Sequence, residues 1–250
     1  MKISIITVVR NNSSSIKDAI ESVLSQTYND IEYIIIDGSS TDGTLDIIQG
    51  YAKHITKIVS ERDKGIYDAM NKGISLASGD IIGILNSDDV YFDENVIEEV
   101  IQAFEETLTD SLYGDLVYVE KNNLNKVVRY WKSSDFKIGS FAKGWHPPHP
   151  TFFTKKKLYE KYGLFDINMR ISADFDLMLR FLEKDKITTS YLPKILVKMR
   201  TGGESNKSIR NIITSNISIL KAFKKNNIPV NNFMYLFYRL MPKVIQRIKK

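Results

Sequence analysis

Residues 79–89, Gly79-Asp80-Ile81-Ile82-Gly83-Ile84-Leu85-Asn86-Ser87-Asp88-Asp89, form an apolar run that stops at two adjacent carboxylates. A short apolar run of this kind reads as a strand buried on both faces, as in parallel sheets. In such sheets the carboxyl ends of the strands open into the ligand crevice, so Asp88 and Asp89 are expected to point into a site. Two neighbouring carboxylates repel each other and are costly to dehydrate unless a cation or hydrogen-bond donors stand between them. Hard oxygen ligands suit Mg²⁺ or Mn²⁺, which keep water and complete their shell with phosphate oxygens. The alternative is a solvated turn or a helix N-cap, places that aspartate also favours.

Upstream, two more strands end in polar residues. Lys2 to Val9 runs into Arg10-Asn11-Asn12-Ser13-Ser14-Ser15, and Ile31 to Ile36 ends at Asp37-Gly38-Ser39-Ser40-Thr41-Asp42-Gly43-Thr44. After the first strand, Ile16, Ala19, Ile20, Val23 and Leu24 recur at helical spacing, with Ser13 to Ser15 offering N-caps. Leu45, Ile47, Ile48 and Tyr51 suit a second helix, Thr56 to Ser60 a short strand, and Ile66 to Ala77 a third helix. This alternation predicts an α/β fold with a mostly parallel sheet and right-handed crossovers. Downstream, a helix from about Glu94 to Glu106 precedes Leu112 to Glu120 and Lys126 to Trp131, which read as a β-hairpin. Trp145-His146-Pro147-Pro148-His149-Pro150 must be extended or turned, because proline restricts itself and its predecessor.

Composition narrows the function classes. The chain has 250 residues, 43% hydrophobic and 26% charged, enough for one catalytic domain with a C-terminal appendage. It has no cysteine, which excludes thiolate catalysis, disulfides and cysteine zinc sites, and its three histidines form no HExxH. Neither GxGxxG nor GxxxxGK[ST] occurs, so a dinucleotide cofactor or a P-loop is unsupported. No apolar stretch reaches membrane-spanning length, and the N-terminal run Ile3 to Val9 is too short for a signal-peptide core, so a cytoplasmic protein is expected.

Taken in order, the strand ends, the segment Ser60-Glu61-Arg62-Asp63-Lys64-Gly65-Ile66-Tyr67-Asp68-Ala69-Met70-Asn71-Lys72-Gly73 and the Asp88-Asp89 pair resemble the nucleotide-binding half of family 2 glycosyltransferases. Further along, Gly163-Leu164-Phe165-Asp166 and Ile171-Ser172-Ala173-Asp174-Phe175-Asp176 resemble the acceptor-side segment of that family. The resemblance implies a GT-A fold, with a nucleotide-sugar half over 1–90, an acceptor half over 91–204 and a basic helical appendage over 205–250. It implies inverting transfer of a sugar from a nucleotide donor, UDP-linked, to a glycan or lipid-linked glycan in bacterial surface-polysaccharide assembly. Asp174 is then the catalytic base, Asp88 and Asp89 the ligands of Mn²⁺ or Mg²⁺, and Thr7, Val9, Asp37, Arg62 and Asp88 the nucleotide-binding set. His149 and Trp145 fall on the acceptor or leaving-group side. Two positions depart from the family pattern: Asn86 stands where the metal motif often begins with aspartate, and Ala173 where many members have glutamate.

Each residue also has a plainer reading. Asp37 can close an Asx-turn over Gly38-Ser39-Ser40, Asp174 suits the first turn of a helix from Phe175 to Glu183, and Trp145 suits a core. Two rival functions are a nucleotidyltransferase, which also holds Mg²⁺ on carboxylates, and a sugar-nucleotide sensor or scaffold without turnover. A processive synthase is disfavoured by the missing transmembrane segment and the missing Gln-x-x-Arg-Trp, and no nucleic-acid reader motif is present.

The overall charge of +5 is uneven: the segment after Glu204 holds ten basic residues and no acidic one, leaving residues 1–204 at −5. At 100° per residue, Arg239, Lys243, Arg247 and Lys250 fall within about 80°, opposite Phe237, Leu240, Met241, Val244 and Ile248. Residues 231–250 therefore predict a basic amphipathic helix able to lie on an anionic membrane surface, or to pack on the domain or a second subunit.

Overall fold

The computed structural model describes residues 1–202 and 209–235; the amphipathic pattern over 237–250 lies outside them. The first half alternates as β1 (Ile3–Val9), α1 (Ile16–Leu24), β2 (Ile31–Asp37), α2 (Thr44–Gly50), β3 (Lys57–Ser60), α3 (Ile66–Leu76) and β4 (Ile81–Ile84). The second half contains β5 (Asp89–Tyr91), α4 (Val96–Thr107), β6 (Ser111–Glu120), β7 (Asn123–Trp131), β8 (Phe153–Lys155), α5 (Lys157–Tyr162), α6 (Ala173–Leu179), β9 (Thr189–Arg200) and α7 (Ile209–Lys225). Among the described residues the strands form one sheet in the order β3-β2-β1-β4-β8-β6-β9-β5, with β7 paired to β6.

The parallel expectation holds for the first half, where β1 pairs with β2 and β4, and β2 with β3, all in parallel. From β8 onward antiparallel pairs enter, because the β6–β7 hairpin and the short β5 and β8 strands reverse the chain without a helical crossover. The hairpin is tighter than its sequence suggests: Glu120 already pairs with Asn123.

Side chains alternate between two cores, one on each face of the sheet. Ile6, Val8, Ile34 and Ile36 pack under α3, α6 and α7, while Ile3, Ile5, Val9 and Ile35 pack under α1, α2 and α4. On the first face Gly73 lets α3 press onto β1, since a Cβ there would stand 2.4 Å from Ile6 Cγ2. Helix α1 buries Ile16, Ala19, Ile20 and Val23 as the spacing predicts, but its N-cap Ser15 makes no capping bond. The Ser15 hydroxyl instead donates to Asn12 Oδ1 at 2.7 Å, which stiffens the loop after β1.

The described part of the basic C-terminal segment is built into the fold. On α7, Ile219, Ala222 and Phe223 are buried, and Phe223 meets Phe175 of α6 edge-on at 5.6 Å. The buried Asp176 accepts from Asn226 Nδ2 at 2.9 Å and pairs with Lys225 at 3.2 Å, fastening α7 to α6.

Candidate active site at the carboxyl ends of the parallel strands

The register Val9–Asp37–Ser60 brings the ends of β1, β2 and β3 to one level. The loops leaving them are stitched together by short polar bonds. Asn11 N–H donates to Ser40 Oγ (2.8 Å), Asn12 N–H to Thr44 Oγ1 (2.9 Å) and Ser13 N–H to Asp42 Oδ2 (3.0 Å). Gly38 N–H donates to the Val9 carbonyl at 2.8 Å. These loops enclose a cleft of about 450 Å³ lined by Arg10, Asn11, Gly38, Ser39, Thr41, Arg62 and Asp63. Gly38 gives the Asp63 carboxylate room to lie against the loop, since a Cβ there would stand 2.4 Å from Asp63 Oδ2.

Of the expected nucleotide-binding residues, Arg62 lines this cleft, whereas Asp37, Thr7 and Val9 are buried behind it. The Asp37 carboxylate closes the Asx-turn that its sequence allows, with Oδ2 accepting from Ser40 N–H at 3.1 Å and from Ser60 Oγ at 2.6 Å. Thr7 Oγ1 accepts from the Tyr33 hydroxyl at 3.1 Å inside the core. Alternation places Thr7 on the same face as Val9, toward α1 and α4.

The Asp88-Asp89 loop adjoins these, because Asn12 Nδ2 donates to Ser87 Oγ at 2.9 Å. Asp89 is 1% exposed; one oxygen accepts from Asn86 Nδ2 at 2.9 Å, and Oδ1 has no hydrogen-bond partner among the described residues. Burial, and then the charge of Asp88, push Asp89 up to about 8, against the pull of Asn86 and Arg200. Asp88 is also raised, chiefly by burial. Asn86 therefore does what aspartate there could not: it donates to Asp89 instead of adding a third negative charge. An orphaned, buried carboxylate oxygen beside a second carboxylate fits a hard divalent cation. No cluster of three or more His, Cys, Asp or Glu side chains suited to a metal occurs among the described residues, which leaves the pair among them.

Asp174 stands at the first turn of α6, and its Oδ1 accepts from the Tyr67 hydroxyl of α3 at 3.0 Å. His149 is close enough to feel the Asp174 charge, and both Tyr67 and His149 rest on Phe165, at 5.7 and 5.8 Å between ring centroids. Burial holds the His149 ring below its ordinary pKa, and the nearby Asp174 charge offsets this only in part. The structure thus brings Asp174 and His149 together, but not Trp145. That indole packs among Tyr113, Phe136 and Phe141 at 5.9, 6.1 and 6.4 Å, the core placement. Ala173 is fully buried, so a glutamate there has no room without displacing the aromatic core.

Sequence reasoning passed over two residues. Tyr67 lies in the quoted Gly65-Ile66-Tyr67 segment but bonds to a residue 107 positions away. Arg200, at the end of β9, donates from Nη1 to the Asp88 carbonyl at 2.7 Å and pairs with Asp18 of α1, clamping the diacid loop from behind.

Comparison with known proteins agrees with this geometry. Residues 4–164 match the family model described as glycosyl transferase family 2. A PGL/p-HBAD biosynthesis glycosyltransferase of Mycobacterium bovis (strain BCG / Pasteur 1173P2) is 27% identical over 249 residues, 98% of this chain and 92% of the relative. The putative glycosyltransferase EpsE of Bacillus subtilis (strain 168) is 28% identical over 243 residues, 94% and 86% of the two chains. Among solved structures, residues 1–349 of S. aureus TarS in complex with UDP superpose with a TM-score of 0.70 at 18% identity, covering 96% of this chain and 70% of that one. The mannosyltransferase PcManGT from Pyrobaculum calidifontis, in complex with GDP-Man and Mn²⁺, gives 0.64 at 17% identity, covering 90% and 67%. The architecture is therefore that of the GT-A neighbours, as the sequence predicts.

Proposed function

This chain belongs to glycosyl transferase family 2 and is a glycosyltransferase, and from that premise we propose that it transfers a sugar from a UDP-linked donor to a hydroxyl of a glycan or lipid-linked glycan, with inversion. The observation that carries the reading is the Asp88-Asp89 pair, with Asp89 buried and one of its oxygens without a partner among the described residues, on a loop bonded to the one that borders the cleft. TarS holds UDP and PcManGT holds GDP-Man with Mn²⁺, which supports a nucleotide-sugar donor and a divalent cation here.

The parts then divide as follows. Arg10 and Arg62, at the cleft, meet the anionic donor, and Asp37 fixes the floor of the pocket through its turn. Asp88 and Asp89 would hold Mg²⁺ or Mn²⁺, which when bound supplies positive charge for the departing diphosphate. Asp174, partly exposed and held by Tyr67, accepts the proton of the acceptor hydroxyl as it attacks the anomeric carbon from the face opposite the leaving group. One displacement at that carbon inverts it. Residues 1–90 serve the donor and 91–204 the acceptor.

The basic segment suits an anionic membrane surface carrying a lipid-linked acceptor. On α7, next to the helix bearing Asp174, Ile213 and Ile217 are 54% and 50% exposed, and Phe233 beyond it is 76% exposed. No helix among the described residues is long and apolar enough to cross a membrane, so contact at the inner face of the cytoplasmic membrane would be peripheral.

The test is a panel of UDP-, GDP- and dTDP-sugars assayed with and without Mn²⁺ for release of nucleoside diphosphate. Mn²⁺-dependent UDP release is expected. Turnover that requires added pyrophosphate and yields a nucleoside triphosphate and a sugar phosphate would make the protein a nucleotidyltransferase, and binding without turnover would make it a sensor.

A further inference from the structure

We infer that Tyr67 is the positioning residue of the transfer reaction: from the donor half its hydroxyl donates to Asp174 and holds that carboxylate in its working orientation. The inference rests on Asp174 being the base. It begins with an irregular helix start. The N-cap of α6 is Ser172, at φ 71°, and its side chain makes no capping bond. Its hydroxyl is turned away to Ser215 Oγ of α7, 2.9 Å distant. Serine at an N-cap ordinarily accepts one of the first free N–H groups of the helix. Here no side chain among the described residues takes that place, and the contact at the helix start comes from the Tyr67 hydroxyl of α3.

The same hydroxyl gives its own proton to Asp174 Oδ1 at 3.0 Å. Tyr67 thus grips the helix start through the Asp174 side chain. Its ring is held flat against Phe165, with 24° between the planes, so the hydroxyl has little freedom to leave. Burial, and then the Asp174 charge, raise the phenol well above its ordinary pKa, so it stays a donor throughout the working range. A carboxylate kept as the acceptor of a fixed donor is oriented, and its second oxygen is left for the acceptor hydroxyl.

Tyr67 also ties the two halves together along the chain. It is the second residue of α3, five positions after Arg62 and four after Asp63, both of which line the donor cleft. A shift in that loop on donor binding would move the residue that sets the base.

Tyr67→Phe removes the hydroxyl and keeps the stacked ring. The assay is nucleotide release from the best-hydrolysed sugar of the donor panel, with water as acceptor. The expected result is a kcat lower by on the order of tenfold or more, with donor KM and UDP affinity unchanged. In an Asp174→Asn background the same substitution should cost nothing further, because a positioning residue has nothing left to position. Phe165→Leu, which loosens the stack and spares the hydroxyl, should lower the melting temperature more than kcat. An unchanged kcat in Tyr67→Phe, an undiminished loss on top of Asp174→Asn, or a Tyr67→Phe chain that no longer folds would each overturn the inference. Full turnover in Asp174→Asn alone would instead remove the base assignment on which it rests.

Discussion

Asp89 and Asp174 are both acids at the edge of the candidate site, and the protein treats them oppositely. Asp89 is enclosed, has an oxygen with no donor among the described residues, and shares its loop with a second carboxylate. Asp174 is partly exposed and receives a tyrosine hydroxyl. A carboxylate starved of donors is expensive as an anion and is relieved by a cation. One that is given a donor and access to solvent is free to take a proton from a substrate. On this contrast we propose charge neutralisation at one end of the site and proton transfer at the other.

The largest effect should come from Asp89. Asp89→Ala should abolish Mn²⁺- or Mg²⁺-dependent turnover, as should excess chelator with the unchanged protein. Asp89→Asn sharpens the contrast, because it removes an acid that burial pushes up to about 8 and keeps the shape. In chelator it should melt higher than the parent, by roughly 2–4 °C per kcal/mol gained, while remaining inactive. A fall in melting temperature would show that the ionised Asp89 is not the strained group described here.

Asp174→Asn should lower turnover by on the order of a hundredfold or more, the contribution of a general base. Donor affinity should stay near that of the parent, and Mn²⁺ binding should be unaffected. If donor affinity falls as far as kcat, Asp174 belongs to the donor pocket and the two acids do not divide the labour.

What the sequence made legible is what depends on neighbours in the chain. Helix spacing over Ile16–Val23, the buried strands, and the turn residues after Val9, Ile36 and Leu85 all rest on local pattern, and they placed the crevice. Partnerships across the fold were not legible. Tyr67 reaches Asp174 over 107 positions and Arg200 reaches Asp88 over 112, and nothing local marks either contact. Trp145 shows the same limit, since a half-buried indole beside prolines suits a sugar or a core until Tyr113 and Phe141 are seen around it. Asn86 looked like a lost ligand, and its role as a donor to Asp89 emerges only from the geometry.

Asp37 is the intermediate case, a buried carboxylate whose bonds come from the protein itself. Asp37→Ala should weaken UDP binding by ~1–3 kcal/mol, the range for a hydrogen bond to a charged group, and should also loosen the turn. Asp37→Asn separates the two effects, because it keeps an acceptor for Ser40 N–H. If Asn restores stability but not UDP affinity, the carboxylate is read by the nucleotide; if it restores both, Asp37 serves the turn alone. Preferential binding of GDP, independent of Asp37, would overturn the uridine assignment.

The smallest effect lies in His149, which reports how far the Asp174 charge reaches. Burial holds its folded pKa below the ordinary 6.5. Between 6.5 and that lower value the unfolded chain binds a proton that the folded chain does not, so stability rises with pH in this window and is lost as pH falls through it. The slope cannot exceed about 1.4 kcal/mol per pH unit for one proton. His149→Gln should flatten the acid side of a urea-unfolding series by up to that amount. Asp174→Asn should do the reverse: without the neighbouring charge the imidazole falls further, and the window of lost stability extends to lower pH. Identical acid slopes in the parent and in Asp174→Asn would mean that the carboxylate does not act on His149, which would leave the base without its histidine neighbour.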